Sequence, residues 1–428
     1  MQLKSLIVRY LTDLKAAIYL LLLIGFLSSV GTIIEQDRAL DFYQNAYPVE
    51  DSFFNWKLIT VLGLDQVYKT WWFIGLLVLL GFQLVGCTFL QQFPALNLAR
   101  RCYFYKTETQ LQKLPSVTDL SDFNSNSLLN TIVERDYTVF QQSNSVYAYK
   151  GIIGRFAPII VHISLLFILT GAITGALSGF TAQELVPKTE IFRVQNLIAS
   201  NVFTRLPKFS NRVNDFWITY DKTNSVKQFY TDLSVLDEAG VELKRETIYV
   251  NHPLQYAGVT WYQTDWNLVG FRARVNNVLD YQVPFFSPPQ LKKKLWVSWL
   301  PITKDLKEGV NVVVDNFRSN VSFYTSNGEF IDTVEIGDEL NFSGNRIQPL
   351  DLIGETGLQI KSDPGIYLIY LGFSSLMVST FISYFSYSQL WLLEKNSKLF
   401  VGGFTNRAKL NFETEFFNLF VCPKTLSK

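Results

Sequence analysis

Few side chains in this chain could do chemistry. It has two histidines, His162 and His252, and three cysteines, Cys87, Cys102 and Cys422. No C-x-x-C pair occurs, so the thiols suit neither a disulfide framework, a thioredoxin-like centre nor a c-type haem carried by the chain itself. They are also too few for an iron–sulfur cluster. Walker loops, G-x-G-x-x-G after a strand, G-x-S-x-G and H-E-x-x-H are all absent. No catalytic residue is therefore assigned. Any metal or haem chemistry through imidazole must use one of the two histidines, or borrow a ligand from a partner.

His162 lies seven residues past Arg155, inside an apolar run. In a helix that places it about 10 Å from the basic end. An ionisable group at membrane depth is a functional candidate by default. The alternative is a neutral imidazole bonded to a carbonyl or hydroxyl of a neighbouring helix. The same run holds Gly171, Gly175 and Gly179, a double G-x-x-x-G that lets another helix approach closely. Nine residues turn a helix through about 900°, which puts His162 opposite Gly171. The helix is thus expected to pack through its glycines and to present His162 to a cofactor or a second protein.

His252 stands in Tyr249-Val250-Asn251-His252-Pro253-Leu254, followed by Trp261-Tyr262-Gln263 and Trp266. Pro253 holds the histidine in extended or turn geometry. Either it bonds the local backbone, or it is a transient haem ligand or a docking residue, with Trp261, Tyr262 and Trp266 able to pack on a flat cofactor. Aromatic residues on strands also serve as sheet core. Glu35 and Asp37 read as a solvated helix end rather than a carboxylate pair, and Lys292-Lys293-Lys294 as a solvated run.

The elements that must position these residues follow from composition and hydropathy. The 428 residues are 48% hydrophobic, 15% aromatic and 18% charged, below the roughly 25% charged of a soluble domain. The mean hydropathy is +0.13. A net charge of +1 gives no field that favours nucleic acid. Four charge-free stretches, 16–34, 71–93, 156–183 and 365–393, are long enough to span a bilayer. The first is too long and uninterrupted for a signal-peptide core and reads as a retained anchor. Three basic groups in 1–15, seven in 94–155 and six from residue 394 onward place both termini and 94–155 on the cytoplasmic or stromal side. The 35–70 loop, with three basic groups against six acids, and the 184–364 segment then face the periplasm or lumen.

Short alternating runs such as Phe216–Tyr220, Val259–Gln263 and Val321–Tyr324 make the 184–364 segment β-rich. Turn signals at Glu238-Ala239-Gly240, Ser326-Asn327-Gly328 and Ser343-Gly344-Asn345 separate them. The expected fold is a polytopic membrane protein of four transmembrane helices plus a β-rich lumenal or periplasmic domain. Its segments are 1–34 (tail and first span), 35–70 (outer loop), 71–93 (second span), 94–155 (cytoplasmic or stromal), 156–183 (third span), 184–364 (outer domain), 365–393 (fourth span) and 394–428 (tail).

Several strings, in this order and at these places, resemble the ResB (CcsB) family, the membrane subunit of the System II cytochrome c synthase. They are Gly31-Thr32-Ile33-Ile34-Glu35-Gln36, Gly154-Arg155 through His162, and Asn251-His252-Pro253-Leu254 with Trp261-Tyr262-Gln263. Phe42-Tyr43-Gln44, Tyr47-Pro48 and Gly402-Gly403-Phe404-Thr405-Asn406-Arg407-Ala408 resemble its cyanobacterial and plastid branch. The resemblance covers nearly the whole chain.

It implies a thylakoid membrane protein that acts with CcsA in delivering haem and attaching it to apocytochromes c, cytochrome f and a soluble lumenal cytochrome c among them. His162 matches the family's intramembrane histidine, an axial ligand to haem held transiently, with the second ligand on CcsA. No W-x-W-D string occurs, so the haem-presenting site belongs to the partner. The chain would be a non-catalytic or co-catalytic subunit. The rival reading is a membrane scaffold that stabilises CcsA and docks apocytochrome without binding haem. The opening residues lack a Ser/Arg-rich, acid-poor stretch, the expectation for an organelle-encoded or bacterial protein.

Overall fold

The computed structural model describes residues 10–49, 54–121, 124–222, 225–288, 295–303, 305–318 and 320–421. The Lys292-Lys293-Lys294 run, Cys422 and most of the basic N-terminal tail lie outside them. The chain divides into a membrane unit (1–176 and 365–428) and a sheet-rich unit (177–364).

In the membrane unit, α1 (Leu14–Ile33) starts at Asp13, whose carboxylate accepts from the Lys15 N–H at 3.0 Å. A loop carries α2 (Leu40–Ala46), α3 (Trp56–Leu62) and a 3₁₀ turn (Leu64–Lys69). Gly31 is needed where this turn comes close, since a Cβ there would meet Val67 Cβ at 3.1 Å and Tyr68 Cζ at 3.2 Å. Gln36 then staples the loop, donating to the Ile34 and Leu64 carbonyls and accepting from the Val67 N–H at 2.9 Å. The Gly31-to-Gln36 string is thus an architectural motif.

Next, α4 (Trp71–Cys87) continues through a π turn (Thr88–Gln92) into α5 (Phe93–Ala99). Pro94 explains the π turn: it has no N–H for the Leu90 carbonyl and its ring crowds that carbonyl. The helix widens just before it, so that the Phe93 N–H bonds Thr88 O, five residues back. Short α6 (Glu108–Leu111) and α7 (Ser125–Glu134) precede α8 (Ala157–Ser178); α9 (Ile366–Ser383) and α10 (Lys409–Phe420) follow the sheet-rich unit. Four helical paths, Leu14–Ile33, Trp71–Ala99, Ala157–Ser178 and Ile366–Ser383, are long and apolar enough to cross a membrane. Between 11% and 22% of each is buried within the protein, which leaves most of their apolar surface for lipid.

Two apolar stretches are shorter as helices than expected. The 156–183 stretch leaves its helix at Ser178 and the 365–393 stretch at Ser383. Their remainders open strands β4 (Phe180–Pro187) and β19 (Ser388–Lys395). A strand buried on both faces reads as a continuous apolar run, as a membrane helix does. Leu390, Trp391, Leu392 and Leu393 are all buried in sheet.

That sheet joins the 94–155 segment to the tail. Strands β1 (Ser116–Leu120), β2 (Thr138–Gln142) and β3 (Ser145–Lys150) join β19 and β20 (Lys398–Thr405) in the order β1-β20-β19-β3-β2. One face packs on Ile132 of α7 and on Phe412, Phe416 and Phe420 of α10. The other carries Tyr105, Tyr147 and Trp391.

The sheet-rich unit is built on two long antiparallel strands, β11 (Val259–Val275) and β18 (Asn345–Ser362). They are the centre of a sheet with β4, β6 (Leu197–Ala199), β10 (Leu254–Tyr256), β12 (Leu279–Pro284) and β17 (Leu340–Phe342). A second sheet orders β5 (Ile191–Phe192), β7 (Ser210–Tyr220), β8 (Val226–Leu236) and β9 (Glu242–Tyr249). A third orders β13 (Trp296–Pro301), β14 (Gly309–Val314), β15 (Asn320–Tyr324) and β16 (Phe330–Glu335). One core forms around Val213, Leu233, Trp261 and Leu358, the other around Phe271, Trp296, Val312 and Ile347. The expected turns are present. Ser343 and Gly344 both take positive φ, the geometry of a tight hairpin between β17 and β18.

Candidate functional site

His162 sits in the second turn of α8 and faces the helical path of α4 and α5. Its Nδ1 lies 2.9 Å from Thr88 Oγ1 at the start of the π turn. Thr88 Oγ1 also donates to the Leu84 carbonyl at 2.7 Å. Thr88 Oγ1 thus joins the Leu84 carbonyl to His162 Nδ1. An outer hydrogen bond of this kind orients an imidazole, and it leaves Nε2 outside the pairing. The hydroxyl-bonded histidine expected as the alternative is realised at Nδ1, and Nε2 makes no hydrogen bond among the described residues. Thr88 carried no signal in the sequence, because its pairing spans 74 residues and depends on the widened turn that Pro94 imposes.

The opposite side of α8 packs on α9. A Cβ on Gly171 would lie 2.7 Å from Ile369 Cγ1 and 2.8 Å from Gly365 O, and one on Gly365 would run into Gly171 O and Gly175 N. Gly372 answers from α9, against Ser164 O and Ile168. Gly179 lies just past the helix end at Ser178, where its carbonyl accepts from Thr204 Oγ1 at 2.9 Å.

His252 sits in the turn after β9. Its N–H donates to Tyr249 O at 2.9 Å and its side chain is 46% exposed. The ring stacks on Tyr249 at 4.7 Å and 9°, with Nδ1 3.9 Å from Glu246 Oε1. Cross-strand pairing extends the stack through Tyr230 at 5.5 Å to Trp217, which lies 5.4 Å further. The aromatic neighbours of His252 are thus Tyr249, Tyr230 and Trp217. Trp261 is fully buried in the core against Phe209, and Trp266 packs on Trp296 in the other core cluster. The expected haem or partner contact at Trp261 is corrected, since strand alternation turns Trp261 inward, while Trp266 is partly buried beside Trp296. Glu35 and Asp37 are held in ion pairs with Arg38 at 2.9 Å and Lys69 at 2.7 Å. Among the described residues no group of three His, Cys, Asp or Glu side chains could hold a metal ion.

The description "ResB-like family" matches residues 14–285 and 285–417. The chain belongs to the ResB-like family. Among its relatives, "Cytochrome c biogenesis protein Ccs1" of Phaeodactylum tricornutum is 50% identical over 97% of this chain and 99% of its own length. The Ccs1 of Thalassiosira pseudonana is 48% identical over 97% and 99%. "Cytochrome c biogenesis protein CcsB" of a Nostoc species is 45% identical over 96% and 90%. This ResB-like chain therefore matches diatom and cyanobacterial relatives along almost its whole length.

Proposed function

We propose that this ResB-like chain serves cytochrome c biogenesis as the membrane subunit that contributes one axial imidazole, His162, to a transiently held haem. The observation that supports this most is the Thr88–His162 hydrogen bond, which engages Nδ1 and leaves Nε2 outside the pairing within a membrane span. The donor set suits haem iron, which takes neutral imidazole as an axial ligand. With a single intramembrane histidine here, the second axial ligand belongs to the partner, CcsA. When bound, haem would supply the chemistry of thioether formation together with the acceptor cysteines of an apocytochrome c. The chain's own part is to orient His162 through Thr88, to hold α8 in place through the glycine contact with α9, and to line the macrocycle with apolar helix surface. The acceptors are apocytochromes c, cytochrome f and a soluble lumenal cytochrome c among them.

The membrane is the thylakoid, with the sheet-rich unit in the lumen and both termini stromal or cytoplasmic. Two observations support this orientation. The basic counts favour it. In addition, β1–β3 and β19–β20 share one hydrogen-bonded sheet, so the 94–155 segment and the C-terminal tail share one side of the bilayer, as this orientation requires.

The test is the reduced absorption spectrum of the chain co-purified with CcsA. His162→Ala should lose a low-spin bis-imidazole haem that added imidazole restores, and His252→Ala should keep it. Unchanged haem in His162→Ala would refute the assignment and leave the chain a scaffold for CcsA and apocytochrome.

A further inference from the structure

Arg155 precedes α8 on a short 3₁₀ turn (Ile152–Arg155) that leads into the helix. Its guanidinium lies over the Tyr387 ring, 4.9 Å from the centroid, and its Nε–H is buried with no acceptor. No carboxylate pairs with it among the described residues, although twelve other lysine or arginine side chains there do meet a carboxylate. A half-buried cation with an orphaned donor is an unfavourable arrangement unless something else meets its charge.

Two features turn this into a site. The first is rigidity. A Cβ on Gly151 or Gly154 would run into the Ser386 or Phe385 carbonyl, so the backbone that carries Arg155 is clamped against the segment before β19. Tyr387, under the guanidinium, is itself pinned by donating to Ala99 O at 2.7 Å. A guanidinium stacked on a ring face keeps its in-plane N–H fork for a planar anion. The second feature is placement. Arg155 stands two residues before α8 and seven before His162, at the end of the helix nearer that histidine and about 10 Å from it along the helical path. Both residues face one helical path: His162 meets Thr88, and the Tyr387 beneath Arg155 bonds Ala99 at the end of α5.

We propose that Arg155 binds a carboxylate, and that Arg155 and His162 together form one site for a metalloporphyrin with ionised side arms. The inference rests on the reading of His162 as an iron ligand and extends it. The propionates leave a porphyrin at its edge, displaced from the iron by half the macrocycle and a short arm. Iron at His162 Nε2 with the propionate edge toward the basic end of α8 brings such a carboxylate to Arg155, and the clamp holds that edge toward the water-facing end of the span.

The experiment uses the full chain with CcsA, freed of haem and placed in neutral phosphatidylcholine nanodiscs. It is titrated with iron protoporphyrin IX and with its dimethyl ester, and followed by the Soret band. The parent should prefer the free acid by about tenfold to a hundredfold, the range for a hydrogen bond to a charged group. Arg155→Gln should weaken the acid to the level of the ester and leave ester binding unchanged. His162→Ala should weaken both porphyrins; no effect of His162→Ala on either would instead sink the reading of His162. A parent that binds both porphyrins equally overturns the Arg155 assignment without any variant. So does an Arg155→Gln that weakens both alike, which would mark a packing role on Tyr387. A thermal stabilisation by phosphatidylglycerol that Arg155→Gln abolishes would make a lipid phosphate the occupant, and would also overturn it.

Discussion

Replacing Gly372 by alanine tests whether the α8–α9 contact holds the helix that carries His162. A Cβ at Gly372 would lie 2.6 Å from Ile168 Cγ1, 2.8 Å from Ser164 O and 3.0 Å from Ile168 N. Ile168 is β-branched and stiff at χ1, and the other two atoms are backbone, so none of the three can swing aside. To restore ordinary contact the two helices must separate by about half an ångström, which loses dispersion along the whole interface. Overpacking of this kind costs about 1–3 kcal/mol. Alanine also gains about 0.5–1 kcal/mol over glycine in a helix, so the measurement needs controls with that gain alone. Gly25 in α1 and Gly75 in α4 supply them, since nothing lies within 4 Å of a Cβ at either. In reversible unfolding of the full chain in mixed detergent micelles, Gly25→Ala and Gly75→Ala should be slightly more stable than the parent. Gly372→Ala should fall below them by about 1–3 kcal/mol. Equal stability of Gly372→Ala and Gly75→Ala would refute the close packing of α8 on α9.

Gln83 lies in α4 with 2% exposure, and neither its Nε2 nor its Oε1 has a hydrogen-bond partner. Gln83→Leu should stabilise the chain by about 1–3 kcal/mol in the same assay, the cost of a buried unpaired polar group; a loss of stability would show that the amide is bonded in the membrane. In the sheet-rich unit, Arg245 holds the Asp232 carboxyl below its ordinary 3.8 through hydrogen bonds from Nε, at 2.9 and 3.1 Å, and from Nη2. A carboxyl that ionises more readily in the folded state contributes stability that is present above about pH 4 and lost as the pH falls through its folded value. Asp232→Asn should therefore cost under about 1 kcal/mol at neutral pH, as for a partly exposed pair. In denaturant titrations the difference from the parent should vanish in strong acid, and a difference independent of pH would contradict the pairing.

Much of this molecule is legible in local signals. Length and hydropathy are enough to reveal four spans, because a bilayer requires some twenty apolar residues in a row. Alternation and turn residues are enough to reveal a β-rich unit, because strand faces repeat every two residues. Gly171 reads as part of a packing face, and in the structure its missing side chain is what lets Gly365 and Ile369 come close. The errors fall where a local signal has two structural solutions. The apolar run from 365 to 393 is helix and then buried strand, and hydropathy alone does not separate the two. Trp261 and Trp266 are near His252 in the chain but pack against the core clusters, and the ring that stacks on His252 is Tyr249 at the end of β9.

What the sequence determines by itself is therefore the set of elements, their membrane or sheet character, and the identity of His162 as an imidazole within a span. Tertiary structure alone decides which atoms of that imidazole are used and what surrounds it. Thr88 takes Nδ1 because a π turn enforced by Pro94 brings it alongside a helix 74 residues away. Tyr387 comes to lie under Arg155 because two segments separated by the whole sheet-rich unit close one five-stranded sheet. Such pairings depend on distances between residues far apart in the chain, and no local periodicity encodes them.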